Sequence, residues 1–265
     1  MRLALHLTVV VLVVLAGCGG STGPGPAQPT AEESTPTPVP PPAGLSTDSV
    51  TDARTLTESH LDALDGNSYT ADLQRTVRYE NGTVYSRTNA THRVGADGTA
   101  WGSVRVDGAR PLFLGGVAGG IETWTNESVS VSEITTADGS TYQRGVERRG
   151  PASFSAVYAV FESLDLVTTG HTGVGAETRY HLATAEPSET NAFGLGGAPA
   201  RNTTLAAAVD GDGVLRHYEL SYTTEVRGET VRVTRTMRVD GVGETTVRRP
   251  DWVDEALSET KNRPR

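Results

Sequence analysis

The chain has 265 residues, 32 acidic against 23 basic, a formal charge of −9, and one cysteine. An acidic surface repels phosphate backbones and anionic headgroups, which excludes nucleic acid or an anionic lipid surface as a charge-driven partner. A single cysteine excludes an internal disulfide, so the fold has to stand on its core.

The first element is Leu3–Leu15, apolar except for His6 and Thr8 and preceded by Arg2, the only charge before position 32. It is shorter than the roughly 20 residues that a membrane-spanning helix needs. A positive start, a short apolar core and small residues after it have the layout of a signal peptide. Leu15-Ala16-Gly17-Cys18 follows. This stretch resembles the lipobox of bacterial and archaeal lipoproteins, in which the cysteine is lipidated on sulfur and becomes the first mature residue. The resemblance implies cleavage between Gly17 and Cys18, a lipid on Cys18, and a protein held by the membrane at its extracytoplasmic face. An ordinary signal peptide with an incidental cysteine, or a short N-terminal anchor, remains the alternative. Arg2 stands alone, so no twin-arginine pair specifies the export route.

Residues 19–46 carry eight of the fourteen prolines, with Gly, Ser and Thr between them. Such a composition cannot bury a core and predicts an extended, disordered tether. The expected organisation is a signal peptide over 1–17, a lipidated cysteine and tether over 18–46, one β-rich domain over 47–257 and a flexible tail over 258–265. Loss of the leader leaves 22 basic residues and a charge of −10. Lys261 is the only lysine among the basic residues. Acidic excess, near-absence of Lys and abundant Thr, Val, Gly and Asp resemble secreted proteins of halophilic archaea; a GC-rich genome that writes Arg for Lys is the plainer explanation. Four of the seven asparagines, Asn81, Asn89, Asn126 and Asn202, sit in Asn-x-Ser/Thr sequons, which fits N-glycosylation at an exterior location.

In the folded part, Val50 to Leu64 repeats apolar residues at three- and four-residue spacing and predicts a helix, with Ser49-x-x-Asp52 as its start. Tyr69 to Tyr79 alternates as a half-buried strand. Asn81-Gly82 signals a hairpin returning over Val84–Val94. Further strands are expected at Thr99–Val106, Ile121–Asn126, Val129–Thr135, Thr141–Arg148, Asp165–Gly170 and Thr178–Ala183. The last third reads as a meander of Leu205–Val209, Leu215–Val226 and Thr230–Val239. A mid-chain helix is expected over Ala152–Leu164, with Pro151 where it starts, and a short helix over Asp251–Leu257. The fold class is α+β, mainly β: a curved antiparallel sheet, an incomplete barrel, with the N-terminal and mid-chain helices covering its concave face.

That element order, together with the leader, resembles the lipoprotein-carrier fold of LolA, LolB and the LppX-like lipoproteins over residues 50–250. The resemblance implies a space between sheet and helices that holds acyl chains. Tyr69, Leu73, Val77, Tyr218, Leu220, Tyr222 and Val233 are the apolar positions nominated to face it; plain core is the other reading of each. Chemistry is not announced. There is no Gly-x-Ser-x-Gly elbow, His-x-x-x-His pair, cysteine cluster or phosphate-binding loop. His171 and His181 fall around a turn and could face each other, but two ligands do not make a zinc site. Asp210-Gly-Asp-Gly213 lacks the rest of a calcium loop and reads as a turn. Gly115–Gly120 and Gly194–Gly197 are candidate cavity rims, and Trp101 and Trp124 either pack together or line such a rim. No catalytic residue, metal or cofactor is expected. The reading is a non-enzymatic, membrane-anchored protein that binds a lipid or apolar ligand. The alternative is a fully packed structural or interaction module with an envelope protein as partner.

Overall fold

The computed structural model describes residues 37–112, 116–145 and 150–261. Gly17 and Cys18, with the rest of the leader, lie outside the described residues. Twelve strands form one antiparallel sheet: β1 Tyr69–Tyr79, β2 Val84–Val94, β3 Ala100–Asp107, β4 Gly119–Thr125, β5 Ser130–Thr136, β6 Gly139–Arg144, β7 Leu166–Thr172, β8 Arg179–Thr184, β9 Ser188–Thr190, β10 Ala200–Asp210, β11 Leu215–Val226 and β12 Glu229–Asp240. Their spatial order is β6-β5-β4-β3-β2-β1-β12-β11-β10-β8-β7, with β9 against β10. The long strands β1 and β12 join the two meanders, and β6 and β7 end the strand order without pairing with each other, so the curved sheet stays an incomplete barrel.

Alternation decides which face is apolar. Ala71 and Val77 of β1, Val233 and Met237 of β12, and Tyr218 and Leu220 of β11 point to one side. There they pack with Leu56 and Leu64 of α1, Ala53–Leu64, and Val157, Val160 and Phe161 of α2, Phe154–Glu162. Full burial of each such side chain contributes about 1.5–3 kcal/mol. A bulge after Val77 turns both Tyr85 and Ser86 into this core. The third helix, α3, Val253–Thr260, lies on the opposite face. Val253 and Ala256 close a smaller core with Trp124, Val131 and Tyr142 there. Trp101 and Trp124 are register partners on that side, so they line no rim of the concave face.

Several boundaries differ from the sequence reading. α1 starts at Ala53, not Val50, because Asp52 is its cap and accepts from the Thr55 N–H at 2.9 Å. Ser49 and Val50 instead bridge to β7. The mid-chain helix starts at Phe154 behind Ser153, three residues after Pro151, and is shorter than 152–164. β10 begins at Ala200, five residues before its apolar run, because edge strand β9 pairs with that polar end. β6 covers Gly139–Arg144, while residues 146–148 of its expected range lie outside the described residues. In the Asn81 hairpin only Gly82 takes positive φ; Thr83 N–H donates to Asn81 Oδ1.

Residues 37–46, assigned to the tether by composition, lie on the domain. Val39 N–H donates to Thr178 Oγ1 at 3.1 Å, the Tyr180 hydroxyl donates to the Val39 carbonyl, and Leu45 is buried. Prolines disfavour helix but not an extended arm laid along a surface. The tail shortens in the same way, since Thr260 is buried within α3. Gly44 holds the arm's turn at φ +83°, where an added Cβ would sit 2.5 Å from both Asp52 O and Leu56 N. Gly44→Ala is therefore expected to destabilise the domain by about 2 kcal/mol or more. Thermal unfolding measures it, and an unchanged midpoint would mean that the arm is not part of the fold.

Candidate ligand-binding cavity

The two longest-range neighbours in sequence, β1 and β12, pair without a break from Thr70↔Asp240 to Tyr79↔Val231. On the inner face their alternation is apolar except at one rung, Arg75↔Arg235. Along the strands the pair is flanked by Leu73, Val77, Val233 and Met237, and across them by Thr88 and Leu220. Arg75 donates to Thr88 Oγ1 at 3.3 Å. The Arg235 guanidinium lies 5.6 Å from the centre of the Tyr218 ring. Neither arginine has a carboxylate partner among the described residues. Burial, and the like charge of Arg235, both hold the Arg75 guanidinium below its ordinary pKa.

Beside this rung is a cavity of about 320 Å³. Leu73, Ala90, Val104 and Ile121 supply its sheet wall, Pro151 and Ala156 cover it from the start of α2, and Arg235 enters it. His92 stands at its rim, its ring packed edge-on to Tyr69 and against Gly150, where a Cβ would fall 2.2 Å from Nδ1. Burial holds His92 below its usual pKa, which favours the neutral ring. Three buried polar atoms here have no hydrogen-bond partner: Arg235 Nε, Tyr218 Oη and His92 Nδ1. Arg235 acts electrostatically on the Tyr218 hydroxyl, yet no hydrogen bond of good geometry joins them. Unsatisfied buried groups are rare in folded proteins and cost about 1–3 kcal/mol each.

Of the seven nominated lining positions, only Leu73 borders this cavity. Tyr69 lines a separate groove between the end of α1 and the β2–β3 turn. Val77, Tyr218, Leu220, Tyr222 and Val233 are all at or below 4 % exposure and belong to the packed core. Among the described residues neither glycine-rich loop borders the cavity: Gly119 and Gly120 lie in β4, and Phe193, before the second loop, is pinned by the Tyr222 hydroxyl at 2.6 Å. Arg75 and Arg235 were the positions missed. Their signal was present, since each is an arginine in the apolar phase of a strand.

The other predicted positions are dispersed. Asn81 and Asn126 cap turns, and Asn89 and Asn202 are exposed on strands, Asn202 at positive φ. His171 pairs with Tyr180 while His181 pairs with Gly170, so the two histidines point to opposite faces. The Asp210 carboxylate is engaged by Asp212 N–H, Val214 N–H and Arg216, which leaves a turn and no vacant cation ligand. Among the described residues no group of three or more His, Cys, Asp or Glu could hold a metal ion.

The architecture is an open antiparallel sheet with two helices on its inner face and a cavity between the sheet and the start of α2. The chain belongs to a family of unknown function, DUF7537, whose profile matches residues 3–256. No curated protein matches the sequence. Among solved structures the chain is similar to LprF from Mycobacterium bovis, at 11 % identity and a TM-score of 0.41 over 77 % of this chain and 98 % of that one. It is also similar to a DUF1329 family protein from Desulfovibrio piger, at 13 % identity and a TM-score of 0.27 over 78 % and 97 % of the two chains.

Proposed function

We propose that this protein is a lipid-anchored lipoprotein at the extracytoplasmic face of the membrane, that it binds a lipid-like apolar ligand between sheet and helices, and that it performs no covalent chemistry. The observation that carries the reading is the cavity of about 320 Å³ walled by Leu73, Ala90, Val104, Ile121 and Ala156. Apolar walls with a few converging polar groups are the usual make-up of a small-molecule site. Anchoring rests on the leader and Cys18. Native mass spectrometry of the full chain, with organic extraction, tests ligand binding. A co-purifying amphiphile near one per chain is expected. A clean apo mass, with no gain after incubation with a lipid extract, would favour the packed interaction module instead. The five fully packed positions of the nominated seven support that second reading.

Anchoring has its own test. Cys18→Ser is expected to move the protein from the membrane fraction to the soluble fraction and to remove a lipid-sized increment from its intact mass. An unchanged distribution would mean that the leader, not a lipid, is the anchor. One acyl chain holds only marginally, so an increment of two chains is expected.

A further inference from the structure

We propose that the cavity beside α2 selects an anionic amphiphile, whose oxyanion is taken by Arg235 with Arg75 beside it and whose apolar chain lies along Leu73, Val104 and Ile121. The proposal deepens the function proposed above and rests on it.

The Arg75–Arg235 rung is costly. Like charges directly opposite on a sheet destabilise it. Two guanidiniums carried on one rung of a largely apolar face repel each other more strongly than they would in water. Desolvation adds to this, since apolar side chains flank the pair along both strands. A leucine at either position would continue the alternation of its strand without that cost. The charges therefore serve something other than packing. An oxyanion in the cavity would offset the charge of the pair and supply an acceptor for Arg235 Nε, which has none, while Arg75, which donates to Thr88 and does not border the cavity, would act through its field. Behind Arg235 the Tyr218 ring, in the packed core, backs the guanidinium on the side away from the cavity wall.

The rest of the cavity sets the remainder of the ligand. Beyond Arg235 the sheet wall carries the aliphatic Leu73, Ala90, Val104 and Ile121 beside Thr91, His92 and Ser103. α2 begins at the cavity, with Ser153, Ser155 and Ala156 on its lining, so the positive end of the helix adds to the same potential. A free inorganic anion would leave the aliphatic wall unfilled, and an uncharged chain would leave the two guanidiniums uncompensated.

The test compares two probes of one chain: cis-parinaric acid and its methyl ester, titrated by fluorescence into the full-length protein in mild detergent. The expected result is binding of the acid near one per chain, at least tenfold tighter than the ester. Arg235→Leu and Arg75→Leu are expected to remove that preference while keeping ester binding. Equal binding of acid and ester by the unaltered protein would overturn the charge selection and leave the lipid-binding function standing. Binding of neither would overturn both. Competition by dodecyl phosphate as well as decanoate would mean that any oxyanion head is accepted, as proposed. Displacement of the acid by inorganic phosphate alone at equal concentration would mean a free-anion site and would sink the amphiphile. Should a leucine variant not fold, Arg235→Gln removes the charge with a polar side chain, and the comparison in the unaltered protein still decides.

Discussion

His60→Ala is expected to lower the unfolding free energy by about 3 kcal/mol, from lost packing and two lost hydrogen bonds. His60 is fully buried on α1. Its Nδ1 accepts from the Leu215 N–H at 3.1 Å and its Nε2 lies 3.2 Å from the Ala152 carbonyl. That arrangement fixes the neutral tautomer with the proton on Nε2. One ring thus ties the first helix to the start of β11 and to the segment that enters α2. Truncation leaves the buried Leu215 N–H and a carbonyl unpaired as well as a void. Chemical denaturation should show the loss in the midpoint with an unchanged slope. A cost below about 0.5 kcal/mol, the size of an ordinary surface substitution, would mean that the ring is not a strut.

The same ring gives the domain an acid-sensitive window. Burial pushes the His60 pKa from 6.5 down to about 4, against the smaller opposing pulls of the Ala152 carbonyl and Asp210. The unfolded chain therefore takes up a proton in a range where the native chain does not. Stability from this group is fully present above pH 6.5 and declines as pH falls toward 4, by up to roughly 3 kcal/mol. His92, shifted in the same direction by burial, adds to the decline. The lowered carboxyls of Asp52, Asp97 and Asp254 act below this range, because their contribution is lost only as pH drops under 3.8. His60→Gln cannot take up that proton, so its stability should vary less than wild type between pH 7 and pH 4.5. Parallel curves would place the titration elsewhere.

Much of the fold was legible because the strands are long and half-buried. The bounds of β1 and β11 follow from eleven or twelve alternating positions, which overdetermine a period of two, and those of β2 follow from the Asn81-Gly82 hairpin that returns it along β1. What failed were the ends and the short pieces. Ser49 and Val50 continue the helical spacing, yet backbone pairing with β7 wins over it. β9, of three residues, is too short to show a period. The arm over 37–46 was misread because composition reports what cannot form a core, not what can lie on one. For the cavity, the face was legible and the depth was not. Leu73 and Val77 alternate identically, and only the placement of α2 leaves space over one while closing over the other. Arg75 and Arg235 could be assigned to the apolar phase from sequence, but their juxtaposition depends on the β1–β12 pairing, which joins residues 160 apart.

Asp210→Ala is expected to cost about 3–5 kcal/mol, the range for removing one member of a buried pair. Asp210 ends β10 at 3 % exposure and organises the turn into β11. Its Oδ1 accepts from the Val214 N–H at 2.9 Å and the Asp212 N–H at 3.1 Å, and its Oδ2 meets Arg216 Nε. Alanine would strand both N–H groups and leave the Arg216 guanidinium, 24 % exposed, without its anion. The turn also carries other contacts. Gly211 packs against Val39 of the N-terminal arm, and Gly213 approaches Ser59 of α1 so closely that a Cβ would fall 2.8 Å from its Cβ. Loss of the turn should therefore loosen the arm and helix together, seen as faster hydrogen exchange in residues 37–64. Asp210→Asn keeps an acceptor for the two N–H groups and loses only the charge, so it should fall between wild type and alanine. If asparagine is as damaging as alanine, the ion pair with Arg216 is what holds the turn. If it is neutral, the backbone acceptors suffice. Because Asp210 and His60 lie on the two sides of the same α1–β11 contact, the double variant should cost less than the sum of the single ones.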